Sequence, residues 1–306
     1  MNKEKIKMNE KPIISVKNLN KRFGSICAID NLSLDIYPGR IYGLMGANGG
    51  GKSSLIRHWI GLYLPDSGTC TTFDVEAKRL GPHELARIGY VHQEGKLIDW
   101  MSIAKLVRYV AAYYPTWNKG IEERYIKEFD LDPKARVGKL SPGQRQMVAV
   151  LLAICFEPEL LILDEPAAAM DPLARRKFLE LLMEIIQVDG RTIIISSHIL
   201  TDIEKVIDHA LIMNRGKMIC DQPIDDLREQ YIRLRLTSLN GPIPEKLPFS
   251  NIIKREQNGS KAIITLAGNT QNHDELEVIA DSIHCQMEQV PLPLEDIYQL
   301  VVENRN

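Results

Sequence analysis

The sequence predicts an α/β fold: a mixed β-sheet core carrying a helical subdomain, with a small α+β appendage at the C-terminal end. Three observations predict it. The stretch "GANGGGKSS" at 46–54 lies between a short apolar run, "RIYGLM", and a segment, "SLIRHWIGL", that is apolar at helical spacing. Two continuous apolar runs, "ELLILDEP" and "RTIIISSH", have the make-up of strands buried on both faces of a parallel sheet. After Leu227 the chain changes character, to alternating and proline-rich segments.

The bulk numbers bound the reading. A chain of 306 residues has room for a large core and for more than one domain. With 44% hydrophobic and 25% charged residues it is not a largely disordered chain. Lys and Arg number 38 against 40 Asp and Glu, a net charge of −2 that gives no electrostatic ground for a nucleic-acid partner. The five cysteines, at 27, 70, 155, 220 and 285, show neither C-x-x-C nor zinc-like pairing, the pattern of free thiols in a reducing compartment. The N-terminus has no apolar stretch of the signal-peptide kind. The longest apolar run, Met147 to Phe156, is about half of the ~20 residues that span a bilayer. The expectation is a cytoplasmic protein that reaches a membrane only through another chain.

Taken in order, the basic tail "MNKEKIKMNEK" reads as a frayed end. From 12 to 45 short apolar runs, "IISV", "LSLDI" and "IYGLM", are broken by turn signals including Pro38-Gly39. From about 94 to 156 the pattern is helical, with "SIAKLVRYVAAYY" and "EERYIKEFDL". "LARRKFLELLMEII" predicts a helix between the two buried strands, and "HALIMNRGKMICD" a hairpin around Asn214-Arg215-Gly216. Behind it come the alternating "IRLRLTS", the connection "GPIPEKLP", the strand "KAIITLAG" and the helix "HDELEVIADSIH". The boundary is placed near 230: a first domain over 12–230 and an appendage over 231–306.

So many glycines between a strand and a helix need a reason, because each loses more backbone entropy on folding than any other residue. Here the pattern is G-x-x-x-x-G-K-[ST], with Gly46, Gly51, Lys52 and Ser53. Glycines let backbone N–H groups curl around phosphate oxygens at a helix N-terminus. The lysine reaches the β- and γ-phosphates and the hydroxyl takes Mg²⁺. The stretch is a nucleoside triphosphate site. "LLILDEP" delivers Asp164 and Glu165 at a strand's C-terminal end, where ligands bind in open α/β sheets. There Asp164 can hold Mg²⁺ opposite Ser53, and Glu165 can polarise a water lined up with the γ-phosphate. Ser141-Pro142-Gly143-Gln144 forms a capping box with Pro at N1, opening a helix whose N-terminus and hydroxyl favour phosphate.

Together these segments resemble the nucleotide-binding subunit of an ATP-binding cassette (ABC) transporter, over roughly 12–230. The resemblance implies a P-loop NTPase core of the ABC type, with ATP and Mg²⁺. "LSPGQ" corresponds to the family signature L-S-G-G-Q, so that Ser141, Gly143 and Gln144 would act on the nucleotide of a second copy. Gln93, in "IGYVHQ", falls at the glutamine that senses Mg²⁺ and the attacking water. His198, after "TIIISS", falls at the histidine that contacts the γ-phosphate. Asp171, in "AAAMDP", falls in the loop that joins the two sites of a dimer. The nucleotide would lie on Gly46, Ala47, Asn48, Gly49, Gly50, Gly51, Lys52, Ser53 and Ser54. Phe23 sits where an aromatic stacks on adenine, with Tyr37 and Tyr42 as competing aromatics. The Mg²⁺ ligands implied are Ser53, Gln93 and Asp164; the catalytic group is Lys52, Gln93, Glu165 and His198.

The same resemblance implies two copies, or this chain and a paralogous subunit, closing head to tail on two ATP molecules. It also implies a separately encoded permease at the inner face of the membrane. Pro142 departs from the signature's first glycine and removes a backbone donor. The ending "PLPLEDIYQLVVE" resembles a C-terminal segment of ATPase subunits of bacterial drug, antibiotic-resistance and sodium exporters. An exporter ATPase is therefore expected, with an importer subunit or a soluble ABC-family ATPase of the iron–sulfur assembly type as alternatives.

Overall fold

The computed structural model describes residues 10–93, 96–168, 170–186, 191–268 and 273–304. The basic tail, apart from its last two residues, lies outside the described residues. The chain divides into two compact units, 1–221 and 222–306.

The first unit holds two sheets with a helix between them. Strands β1 (Ile14–Phe23), β2 (Ile26–Ile36), β4 (Ser67–Thr72) and β5 (Val75–Glu76) form an antiparallel sheet in the order β2-β1-β4-β5. The second sheet adds β3 (Ile41–Met45), β6 (Ile88–Val91), β7 (Leu160–Asp164), β8 (Thr192–Ser197), β9 (His209–Asn214) and β10 (Lys217–Pro223), in the order β10-β9-β3-β8-β7-β6. Within it β9, β3, β8, β7 and β6 run parallel. Every residue of β3 and β7 is buried, as continuous apolar runs require when both faces are covered. Helix α1 (Lys52–Trp59) buries Leu55, Ile56 and Trp59 in a core shared with both sheets. The turn from β9 to β10 is tight, with Arg215 at φ +49° and Gly216 at φ +80°, the left-handed pair of a two-residue hairpin.

The helical part contains α3 (Ile103–Ala111), α4 (Lys119–Glu128) and α5 (Pro142–Ile154), after the short α2 (Pro82–Leu85). Their starts are legible in the sequence. Ser102, Asn118 and Ser141 each accept a hydrogen bond from the backbone N–H three residues on. Helix α6 (Pro172–Ile186) precedes β8, and α7 (Leu200–Ile203) follows it.

The second unit is α+β. Strands β11 (Tyr231–Ser238), β12 (Ile252–Asn258), β13 (Lys261–Ala267) and β14 (Cys285–Val290) form an antiparallel sheet ordered β12-β13-β11-β14. Alternate residues Leu234, Leu236, Ala262, Ile264 and Leu266 pack with Leu276 and Ala280 of α9 (His273–Ser282). Helix α10 (Leu294–Asn304) closes the unit and α8 (Ile224–Glu229) packs on both it and β11. For that reason the division falls at 221/222, whereas composition puts it near 230: α8 belongs with the later strands.

Candidate functional site

The loop from Gly46 to Gly51 leaves the buried end of β3, and its tip, Ala47 to Asn48 to Gly49, is exposed. Three of its glycines, Gly46, Gly50 and Gly51, stand where a Cβ would meet backbone at less than 3.0 Å. A Cβ on Gly51, at φ +104°, would come within 2.4 Å of the Ala28 carbonyl, and one on Gly46 within 2.5 Å of the Met213 carbonyl. The loop is also braced from the hairpin, where the Gly216 N–H donates to the Gly50 carbonyl at 3.1 Å. Gly51 is the N-cap of α1 and brings no side chain to its first N–H groups, unlike Ser102, Asn118 and Ser141 on α3, α4 and α5. Those donors therefore point to an anion rather than to a cap.

Lys52 is 5% exposed and donates from Nζ to the carbonyls of Gly46 (2.7 Å) and Ala47 (3.3 Å). Its ammonium lies 3.6 Å from Glu165 Oε1. Glu165, 7% exposed, is the centre of the group: His198 Nδ1 is 2.8 Å from its Oε2, and Gln93 Nε2 donates to the same oxygen at 3.4 Å. Its backbone takes the left-handed conformation, φ +49°, unusual for a residue with a side chain. Two acceptors on Ser196 hold its N–H there, the hydroxyl at 2.9 Å and the carbonyl at 3.2 Å. Ser196 also donates from Oγ to Asp164 Oδ1 at 2.7 Å.

Asp164 is 1% exposed, and its second oxygen, Oδ2, is buried without a hydrogen-bond partner among the described residues. A buried carboxylate oxygen left over in this way fits a cation or its bound water. Among the described residues no three His, Cys, Asp or Glu gather as a self-sufficient metal site. The donor set thus suits Mg²⁺, which takes one or two carboxylates together with substrate phosphates. Ser53, Gln93 and Asp164 are the residues that would hold it. Nearby, burial pushes the Tyr90 hydroxyl up to about 12, with the negative charge of Asp164 adding to the effect, so it stays a neutral phenol.

Other expected residues stand apart from this group. Ser141 and Gln144 are exposed and close on each other: the Gln144 N–H donates to Ser141 Oγ at 3.2 Å and the Ser141 N–H to Gln144 Oε1 at 3.1 Å. The Ser141 hydroxyl is thus engaged as an acceptor, with its proton still free to donate. Asp171 caps α6, accepting from the N–H groups of Leu173 and Ala174 at 3.0 Å. Phe23 is 42% exposed and meets Tyr63 edge to face, centroids 5.3 Å apart. Tyr42 is 1% exposed and accepts a hydrogen bond from the Tyr37 N–H, so it offers no face for stacking. Sequence reasoning missed Ser196, Met213 and Gly216. Only the paired serines ending "TIIISSH" and the tight "NRG" turn hinted at them.

Residues 29–168 match the family described as ABC transporter. A Nod factor export ATP-binding protein I of Cupriavidus metallidurans is 30% identical over 240 residues, 77% of this chain and 79% of that one. The bacitracin transport ATP-binding protein BcrA of Bacillus licheniformis is 31% identical over 233 residues, 74% and 76% of the two chains. This chain belongs to the ABC transporter ATP-binding subunits. It is accordingly an ATPase subunit of a transporter. The methionine import ATP-binding protein MetN of Carboxydothermus hydrogenoformans is 29% identical over 280 residues, 85% and 82% of the chains. Among solved structures, the ATP binding subunit of an ABC transporter aligns with TM-score 0.64 at 27% identity, covering 71% of this chain and 92% of that one. An ATP-binding cassette described as a dimer in a post-hydrolysis state with ADP and Pi shares the fold, with TM-score 0.61 at 24% identity over 69% and 98%. Among the described residues of the ABC subunit no helix is long and apolar enough to cross a membrane.

Proposed function

We propose that this ABC subunit drives an exporter, closing as a nucleotide-sandwich dimer on a separately encoded permease at the cytoplasmic face of the membrane. The observation that carries the catalytic part is the convergence of Lys52, Gln93 and His198 on one carboxylate, Glu165, beside the unpartnered oxygen of Asp164. ATP is the substrate. Lys52 leaves the Gly46 and Ala47 carbonyls and turns to the β- and γ-phosphates, while the N–H groups of 49–54 line the phosphate chain. Once Lys52 has moved, Glu165 accepts the proton of a water placed by Gln93, as a general base within hydrogen-bond reach of its target. His198 orients Glu165 and donates toward the γ-phosphate. When bound on Ser53, Gln93 and Asp164, Mg²⁺ supplies charge neutralisation on the phosphate oxygens. Phe23 offers its exposed face to the adenine.

Ser141, Gly143 and Gln144 of a second copy, or of a paralogous subunit, close the pocket, and Asp171 links the two sites. The triphosphate then joins the two copies only while it is intact. The export direction is supported by the relatives named for Nod factor export and bacitracin transport. An importer is the second reading, because the methionine import relative aligns over 85% of this chain.

The test is steady-state ATPase activity of the subunit with its permease. Glu165→Gln is expected to lower kcat by about a hundredfold or more, the scale of a lost general base. Undiminished turnover would rule the assignment out. Co-purification with a polytopic membrane subunit and no substrate-binding protein supports export; recovery of a binding protein in the complex supports import.

A further inference from the structure

Arg57 belongs to no motif, yet its guanidinium joins three segments of the ATPase unit. It lies on α1 four residues after Ser53, one turn along the same face. Its NH1 donates to the Tyr63 hydroxyl at 2.6 Å, and NH2 lies 3.1 Å from His92 Nε2. A guanidinium has donors only, so His92 Nε2 must accept and the ring proton sits on Nδ1. Tyr63, at the other end, packs edge to face on Phe23 at 5.3 Å.

The His92 end leads to the chemistry. His92 immediately precedes Gln93, whose Nε2 reaches Glu165 Oε2 at 3.4 Å. The His92 carbonyl accepts from Nε2 of Gln146 at 3.4 Å, and Gln146 is 2% exposed on α5, the helix that Ser141 opens. His92 is therefore gripped on its ring by α1 and on its backbone by α5. Toward Glu165 the chain continues from His92 into Gln93. The Arg57 fork thus spans from the aromatic pair on the base side to the residue that sets where Gln93 begins.

We propose that Arg57 is a positioning residue for Gln93, coupling the packing of base, Phe23 and Tyr63 to the placement of the attacking water. The inference rests on the roles given above to Phe23 and Gln93. If Arg57 only fastened α1 to β6, its loss would lower stability and leave the kinetic constants in proportion. A positioning role instead separates them. The phosphates are held by the loop and Lys52, with which the Arg57 guanidinium makes no hydrogen bond among the described residues, and Phe23 keeps its exposed face for the base, so KM stays while kcat falls.

The experiment is steady-state MgATP hydrolysis by the full chain with its permease, for Arg57→Met, Arg57→Lys, His92→Gln and Tyr63→Phe, with thermal unfolding alongside. Arg57→Met is expected to lower kcat about ten- to a hundredfold, the scale of a small misplacement of a reacting group, with KM within about threefold. Arg57→Lys keeps a donor and His92→Gln an acceptor, so each should lower kcat less than Arg57→Met does. In the double variant with Phe23→Ala, the loss of Phe23 should raise KM but no longer lower kcat, a non-additive cycle. Additive effects on kcat, or a KM rise with kcat unchanged, would overturn the proposal. Should Arg57→Met fail to fold, Tyr63→Phe removes a single hydroxyl contact and must still lower kcat at constant KM. Glu165→Gln separates the two failures: if it too keeps full turnover, the catalytic reading has failed; if it alone is inactive, only the role of Arg57 has.

Discussion

Replacing Ser196 by Ala removes one hydroxyl from a position with no solvent exposure. That hydroxyl donates to Asp164 Oδ1 at 2.7 Å and accepts from the Glu165 N–H at 2.9 Å. The N–H keeps a second acceptor, the Ser196 carbonyl at 3.2 Å, so its loss is partly covered. Asp164 has no such reserve, because Oδ2 is already without a partner. The Ser196→Ala variant therefore strands a buried carboxylate with both oxygens unpaired among the described residues. A hydrogen bond to a charged group contributes about 1.5–3 kcal/mol, so the expected destabilisation is about 2 kcal/mol. For a unit of this size that lowers the unfolding midpoint by roughly 4–8 °C.

Thermal unfolding without nucleotide is the assay, run as a cycle with Asp164→Asn and the double variant. Asp164→Asn removes the charge that Ser196 serves, so the second substitution should cost less in its presence, with a coupling of about 1 kcal/mol or more. A midpoint within a degree of the parent protein, or strictly additive shifts, would refute the claim that the Ser196 hydroxyl stabilises the buried Asp164 carboxylate. Excess Mg²⁺ and ATP should restore part of the lost stability, as binding to the native state alone does.

Gly51→Ala is expected to cost about 1–3 kcal/mol in backbone strain alone, before its contact with the Ala28 carbonyl is counted. Gly49→Ala, where the added carbon meets open space, should cost less, and equal unfolding midpoints for the two would contradict the geometry. One thiol per native chain should react rapidly with a thiol reagent at pH 8. Cys27 is exposed, whereas the other four cysteines are buried, and burial raises the Cys70 and Cys155 thiols to about 12. A second fast thiol in the folded protein would be inconsistent with that. Asp66 accepts from Lys21 Nζ and the Arg22 N–H, which hold its carboxyl below the ordinary value of 3.8. A depressed folded pKa stabilises above the unfolded value and is lost as pH falls through the folded one. Asp66→Asn should therefore lower the unfolding midpoint at pH 7, with the difference shrinking only once the pH drops below about 3.8 and vanishing below the folded value. A penalty that grows with acid would have the wrong sign.

What could be read from the chain alone was local. The glycine loop, the Ser141 capping box and the Arg215-Gly216 turn each depend on a few neighbours in sequence, so residue type suffices to announce them. The buried strands around Leu160 and Ile194 were legible because their apolar runs admit no exposed face. The strands β4, "SGTCTT", β12, "IIKREQN", and β14, "CQMEQV", carry weak apolar patterns and exist through pairing with partners far along the chain. The place of α8 was hidden for the same reason, since only its packing on β11 and α10 assigns it.

The sequence by itself determined that this ABC subunit has a glycine loop leading into a helix, a carboxylate pair at a strand end and a helix capped by Ser141, because short-range backbone geometry dictates all three. Tertiary structure alone decided what meets Glu165. The parallel register that sets Asp164 beside Ser196 brings His198 to the same carboxylate, and the turn after β9 presses Met213 and Gly216 against the glycine loop. Those contacts join residues separated by dozens to well over a hundred positions. They follow from strand order, a property of the whole sheet that no short stretch encodes.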